Sequence, residues 1–145
     1  MPAQATAVSP QALIDAAKAP LIGYNEKKWD KVKASVTAGF VYDEVATARK
    51  VEGADEAIAL WQGWAKAFPD SKATFHGALA SGNTVVLEVT WKGTHQGPLA
   101  TPTGSMAATG KTINVRACVI AEITDGKARL QRQYFDMATL LQQLS

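Results

Sequence analysis

Apolar residues recur along this chain at two different periods, and the change falls near residue 70. Before that point they lie three or four positions apart, the spacing of one helix face. Leu13, Ile14, Ala17, Leu21 and Tyr24 form the first such stripe. Ser9-Pro10 ahead of it has the form of an N-cap followed by proline at the first helical position. Pro20 lies inside the stripe and is expected to kink or divide that helix. A short second helix carries Trp29, Val32 and Val36 on one side. Phe40 to Val45 reads as a short strand with Phe40, Tyr42 and Glu44 on one face. Ala54 to Phe68 is the strongest helical pattern. Ile58, Trp61, Ala65 and Phe68 make its stripe, Ala57, Leu60 and Trp64 widen it, and Pro69-Asp70 stops it.

After residue 70 the period becomes two. Lys72 to Ala80 reads as a strand, and Ser81-Gly82-Asn83 as a tight turn. Thr84 to Thr94 alternates Val85, Leu87, Val89 and Trp91 against more polar positions. Residues 96–110 form a loop rich in proline and glycine, and its fifteen residues are long for a compact domain. Lys111 to Thr124 alternates again, Asp125-Gly126 is a hairpin turn, Ala128 to Phe135 is the last strand, and Met137 to Leu144 a closing helix. Helices first and hairpin-linked strands afterwards predict an α+β fold, with the helices packed on one face of a curved antiparallel sheet. Residues 9–145 are expected to make one domain, and residues 1–8 a loosely held or disordered lead-in.

Composition narrows the function classes. The chain has 145 residues, 47% hydrophobic and 19% charged, which is ordinary for a globular domain. Its net charge of +2, with no basic cluster beyond an interrupted run of lysines at 27–33, gives no nucleic-acid surface. The single cysteine, Cys118, rules out a disulfide framework and a cysteine-based zinc site, and its apolar surroundings predict a buried, inert thiol. No signal peptide and no apolar run of membrane-spanning length is visible, so a cytoplasmic protein that works away from membranes is expected.

Several stretches taken together resemble a known family: LIGYNEKKWDKV (21–32), VYDEVAT (41–47), LWQGWAKAFPD (60–70), WKGTHQGPL (91–99), ITDGK (123–127) and QYFDMATLLQQLS (133–145). Their order and spacing are similar to the SnoaL-like polyketide cyclase, or ester cyclase, branch of the nuclear transport factor 2-like superfamily. The resemblance covers the chain from about Leu13 on. It implies a cone-shaped α+β barrel whose bent sheet wraps the N-terminal helices around an apolar pocket, and a homodimer formed through the outer sheet face. It implies intramolecular aldol closure of a hydrophobic substrate without metal or organic cofactor. In that chemistry an aspartate late in the last strand removes a proton and a histidine on the neighbouring strand assists. Aligned through the DGK hairpin and the closing LLQQL, the aspartate falls on Gln133 and the histidine on Val119. Both proton-handling groups are therefore replaced. Tyr24, Trp61 and Glu44 fall on pocket positions of the family.

The remaining chemistry is read from the residues themselves. Asp136 stands directly before the closing helix, where a carboxylate accepts from free backbone N–H groups, so its expected role is the cap and not the base. Gln131, Gln133 and Phe135 share a strand face, and two amides in an apolar cup suit orienting a carbonyl or hydroxyl of a ligand. Glu44 becomes an acid–base candidate if its face turns inward, but glutamate is seldom buried without a partner, so a solvated strand end is expected. His76 and His95 lack the partners of a metal or catalytic site and are expected to be structural or on the surface. Tyr24, Tyr42, Trp61 and Trp64 are the aromatic ligand contacts. A cavity holding Glu44 within hydrogen-bond reach of Tyr24 or Gln133 would favour an enzyme. A cavity without an ionisable group would favour a ligand-binding protein that lost its chemistry, and a third possibility is a relative using hydrolysis or hydroxylation through Glu44 or His95.

Overall fold

The computed structural model describes residues 8–101 and 103–145. The expected lead-in 1–8 thus lies, except for Val8, outside the described residues. The first helix, α1 (Pro10–Glu26), starts as its sequence requires: the Ser9 hydroxyl accepts from the Ala12 N–H, and Pro10 occupies the first turn. It ends at Lys27, in the left-handed region at φ 56°, whose N–H closes on the carbonyls of Gly23 and Tyr24. The expected division at Pro20 does not occur. The helix is continuous, with Pro20 buried between Ala17 and Leu21 on the face turned to the sheet. Burial of that face outweighs the one backbone hydrogen bond that proline removes. The second helix, α2 (Trp29–Ala34), crosses so closely that a side chain at Gly23 would meet Val32 Cγ2 at 2.7 Å.

Strand β1 (Val36–Glu44) begins four residues before the expected start at Phe40, and a short edge strand β2 (Arg49–Glu52) follows a 3-10 turn over Val45–Thr47. After α3 (Ala54–Ala67) come β3 (Lys72–Ser81) and β4 (Thr84–Thr94). The long loop holds a small hairpin of its own, β5 (Leu99–Thr101) and β6 (Gly104–Met106). Then come β7 (Thr112–Thr124), β8 (Lys127–Phe135) and α4 (Met137–Leu144). The main sheet has the order β2-β1-β8-β7-β4-β3. It is mixed, where an antiparallel sheet was expected: β1 lies parallel to β8, and the other pairs are antiparallel. That parallel contact joins the first strand to the last and sets Tyr42 beside Gln131 and Glu44 beside Gln133.

The helices sit on one sheet face, α1 against β3, β4, β7 and β8, and α3 against β1. Alternation delivers Phe40, Tyr42, Val85, Leu87, Val89, Val119 and Ala121 to the core, all nearly without exposure. A second apolar cluster joins Phe68, Leu99, Ile113, Val115, Leu140 and Leu144, so α4 and the loop hairpin close the end of the core. The loop is pinned to the end of α3, where the Ala67 carbonyl accepts from Gln96 and Gly97 at 2.9 and 3.1 Å. Gly97 is required there, because a Cβ would stand 2.2 Å from the Lys66 carbonyl oxygen. Gly97→Ala must therefore push the loop away from α3. The expected cost is about 2–3 kcal/mol of unfolding free energy, measured by urea denaturation; an unchanged midpoint would show that the loop is not anchored through this contact.

Candidate functional site

One cavity opens between the inner sheet face and the helices, with about 680 Å³ of space not filled by atoms, its open mouth included. Its wall is mostly aromatic and aliphatic: Tyr24, Tyr42, Trp61, Trp64, Phe68, Trp91 and Phe135, with Pro20, Leu21, Ile113, Val115 and Leu140. The rings pack edge to face, Tyr42 on Trp61 at 5.1 Å, Tyr24 on Trp91 at 5.2 Å and Trp64 on Phe135 at 5.9 Å between centroids. Among the described residues, only Glu44, Gln131, Gln133 and Ser71 add non-aromatic polar groups to this wall.

Glu44 overturns the expectation of a solvated strand end, since only 1% of it is exposed. Its burial is possible because four donors meet the carboxylate. Oε1 accepts from Thr47 Oγ1 at 2.6 Å and Arg49 Nη2 at 2.7 Å, and Oε2 accepts from the Tyr42 hydroxyl at 2.8 Å and Trp64 Nε1 at 2.9 Å. The 3-10 turn brings Thr47 and Arg49 back over the end of β1, and Ala48 completes the reversal at φ 56°. Arg49 Nε also holds Thr47 Oγ1 at 3.1 Å, and its guanidinium lies over the Trp64 ring at 5.9 Å. A carboxylate bonded only by donors, one of them a guanidinium, has the pattern of the ionised form.

From Glu44 a directed chain of hydrogen bonds runs across the cavity wall. Trp91 Nε1 donates to Gln133 Oε1 at 2.7 Å, Gln133 Nε2 donates to the Tyr42 oxygen at 2.8 Å, and the Tyr42 hydroxyl donates to Glu44. An indole N–H can only donate, so Trp91 fixes which way the Gln133 amide faces. Glu44 therefore makes no direct hydrogen bond to Gln133, the contact that would favour an enzyme, and the Tyr42 hydroxyl stands between them. Across the cavity the Tyr24 hydroxyl shares a 2.7 Å hydrogen bond with Ser71 Oγ. Lys27 Nζ donates to the Ser71 carbonyl and lies 4.2 Å from the Tyr24 ring centroid.

The cavity brings together Tyr24, Tyr42, Trp61, Trp64, Gln131, Gln133, Phe135 and Glu44 of the expected residues. Four others lie elsewhere. Val119 pairs with Gln133 across β7 and β8 but is sealed in the core and lines no part of the wall. His95 is fully buried behind Phe68, stacked on its ring at 5.2 Å, and its Nδ1 accepts from the Thr109 N–H at 3.2 Å, so it anchors the long loop. Asp136 caps α4, accepting from the Thr139 N–H and hydroxyl at 3.0 and 2.6 Å, and those bonds hold its carboxyl below the usual range. His76 bonds Thr90 through Nε2 at 2.6 Å, away from the cavity. Cys118 is half-buried and not sealed as expected, because its parity on β7 is opposite to that of the core residues.

Four site residues were not singled out from the sequence. Trp91 carries a signal in its alternation with Val85, Leu87 and Val89, and Arg49 and Thr47 carry one in their short distance from Glu44. Ser71, between a helix stop and a strand, carries none. Among the described residues no group of three or more His, Cys, Asp or Glu side chains could hold a metal ion, and no helix is long and apolar enough to cross a membrane.

Burial perturbs both cavity tyrosines. The Tyr24 phenol is pushed up to about 12 from an ordinary 10.0, burial outweighing the opposite pull of the Ser71 hydrogen bond. Tyr42 is raised well above its ordinary value, by burial first and then by the Glu44 charge. Each holds its proton more tightly folded than unfolded. Their contribution to stability is therefore complete below the unfolded value and lost as pH rises through the folded one. Stability is expected to fall between pH 10 and 12, and Tyr24→Phe to make that fall shallower, in denaturant titrations across that range. An unchanged slope would place Tyr24 in contact with solvent.

The model of the SnoaL-like polyketide cyclase family matches residues 14–144. No curated protein matches the chain. Among solved structures, a candidate SnoaL-like polyketide cyclase from Jannaschia sp. CCS1 superposes with a TM-score of 0.84 at 19% identity, covering 98% of this chain and 97% of that one. AclR from Streptomyces galilaeus, a candidate hydroxylase, gives 0.79 at 20% identity over 94% and 82%. An LEH-like epoxide hydrolase from M. tuberculosis gives 0.72 at 21% identity over 93% and 90%. At such identities these likenesses establish the α+β fold and leave the chemistry open.

Proposed function

Because the chain belongs to the SnoaL-like polyketide cyclase family, we propose that it is a cofactor-independent enzyme that closes a ring within a hydrophobic, oxygenated small molecule through an enolate. Glu44 is its proton acceptor, in place of the aspartate and histidine that Gln133 and Val119 replace. The observation that carries this reading is a buried carboxylate, met by four donors, in an otherwise apolar, aromatic wall. Desolvating a carboxylate costs several kcal/mol, so a cup that only held apolar molecules would be more stable with an aliphatic residue there. Charged groups kept at such positions are candidates for chemistry.

In this mechanism Glu44 Oε2 takes a proton from the carbon beside a substrate carbonyl, and the C–H electron pair becomes the enolate. The enolate carbon bonds to a second carbonyl carbon of the same molecule, whose oxygen becomes an alkoxide and recovers the proton from Glu44. The Tyr24–Ser71 hydroxyls supply a donor for the enolate oxygen. Oε2 is already bonded by Tyr42 and Trp64, so the substrate takes the place of the half-buried Trp64 indole when it binds. A second reading, a ligand-binding protein without turnover, is favoured by one observation: every acceptor site of Glu44 and both ends of Gln133 are engaged within the protein.

A linear polyketide methyl ester that cyclises by an aldol step, followed by chromatography, separates the two. The wild type is expected to form the ring, and Glu44→Gln to lower kcat/KM by about 10²- to 10⁴-fold. A wild type that leaves the ester unchanged, yet carries a hydrophobic molecule in native mass spectrometry, would establish the binding reading. Turnover that survives Glu44→Gln would remove Glu44 as the base.

We further propose that residues 9–145 act as one domain in the reducing cytoplasm and pair as a homodimer through the outer sheet face. There Tyr134 is 42% exposed beside half-buried Ile120 and Leu130. In sedimentation the wild type should run at twice the 15.4 kDa chain mass and Tyr134→Glu at the chain mass. A wild type at the chain mass would end that assignment.

A further inference from the structure

We propose that Gln131 is the residue with which the cavity selects its ligand. The ligand class is a neutral molecule that offers a hydroxyl donor to Gln131 Oε1 and a carbonyl oxygen to the Tyr24–Ser71 pair. The inference rests on the cavity being the ligand site, as proposed above, and not on turnover.

Gln131 and Gln133 face the same way from β8 and look equivalent in sequence. The sheet register separates them. Gln133 lies opposite Glu44 on β1, and its amide is spent at both ends, on Trp91 and on Tyr42. Gln131 lies between Tyr42 on β1 and Ala121 on β7. Tyr42 has already given its one proton to Glu44, and its oxygen already accepts from Gln133. Ala121 has no polar side-chain atom. Gln131 Oε1 is therefore left without a hydrogen-bond partner, on a side chain only 3% exposed in the cavity wall. An unpaired buried acceptor disfavours the folded state, and a donor brought by a ligand removes that penalty. The oxygen is covered in the ligand-free cavity, so the Gln131 side chain has to turn for a ligand to meet it.

The other free valence lies at the opposite wall. Tyr24 and Ser71 have two hydroxyl hydrogens and one hydrogen bond between them, so one hydrogen remains for an acceptor. Charge completes the description. Among the described residues neither lysine nor arginine lines the cavity, Arg49 is paired with Glu44, and Lys27, beside the Tyr24 ring, is held by the Ser71 carbonyl. An anionic ligand would bring a second negative charge into the cavity that holds Glu44, with no cation in the cavity wall itself. The cavity thus favours a hydroxy-ketone or hydroxy-ester over the corresponding acid.

Three probes test this through quenching of tryptophan fluorescence: an acetylnaphthol, its methyl ether and the matching hydroxynaphthoic acid. The wild type is expected to bind the acetylnaphthol about tenfold more tightly than the ether, the size of one net hydrogen bond, and about tenfold or more above the acid. In Gln131→Met, which keeps length and volume, the preference for the phenol over the ether should fall to near unity while ether affinity stays the same. Tm of this variant without ligand should rise, because an unpaired acceptor is gone. A phenol preference that persists in Gln131→Met, an acid that binds as tightly as the ketone, or no saturable binding of the acetylnaphthol to wild type would overturn the proposal. So would a lower Tm of Gln131→Met, which would mean that Gln131 is already bonded within the protein. None of these measurements reads ring closure, so they can fail while the cyclase reading stands, or stand while it fails.

Discussion

A charged carboxylate cannot stay in an apolar wall unless other groups replace the water it has lost. At Glu44 that constraint organises one side of the cavity. Its four donors come from β1 itself, from the turn that follows, from the start of β2 and from α3. Removing any one leaves a buried charge short of a partner, which is far more costly than losing an ordinary surface ion pair. Through the Trp64 bond, this cluster also ties the sheet to the helix that covers it. The polar interior is thus also a structural joint, and its rigidity and its chemistry cannot be varied independently.

The joint extends inward through Tyr42 to Gln133 and Trp91, so this wall of the cavity is largely satisfied by its own hydrogen bonds. Such directed chains hold each amide and hydroxyl in one orientation. An amide at position 133 then has a physical reading. An amide can take a donor at one end and give one at the other, which a carboxylate cannot, and this is how the chain from Trp91 to Glu44 stays continuous. Gln133 is a link in that chain, and the Glu44 carboxylate sits one strand away, beside it in the parallel pair of β1 and β8.

Neighbours of similar fold include candidates for cyclisation and hydroxylation and an epoxide hydrolase. These reactions share a need for an apolar cup with a few aimed polar groups, which the scaffold provides by curling a sheet around helices. What differs among such proteins is the set of polar side chains facing inward. In this chain that set is one carboxylate, two amides and two hydroxyl groups beyond Tyr42.

Local pattern determined a great deal. The 3.6-residue stripes located α1, α2 and α3, the strict alternation located β4, β7 and β8, and Asp136 announced α4 by the chemistry of a helix start. Those features depend on each residue and its near neighbours, so they are legible one segment at a time. The short strand β2, the β5–β6 hairpin, the early start of β1 and the unbroken passage of α1 through Pro20 were not legible, because pairing and burial supplied by distant segments overrode weak local preference. The inward aromatic and amide positions could be read from parity and from the family resemblance. Whether Glu44 was buried, which glutamine was already committed, and that Val119 and His95 stand outside the cavity were decided only by the tertiary structure. A hydrogen bond between Gln133 and Tyr42 joins residues 91 positions apart. A sequence shows that both groups exist, and only the parallel register of β1 on β8 brings them within bonding distance.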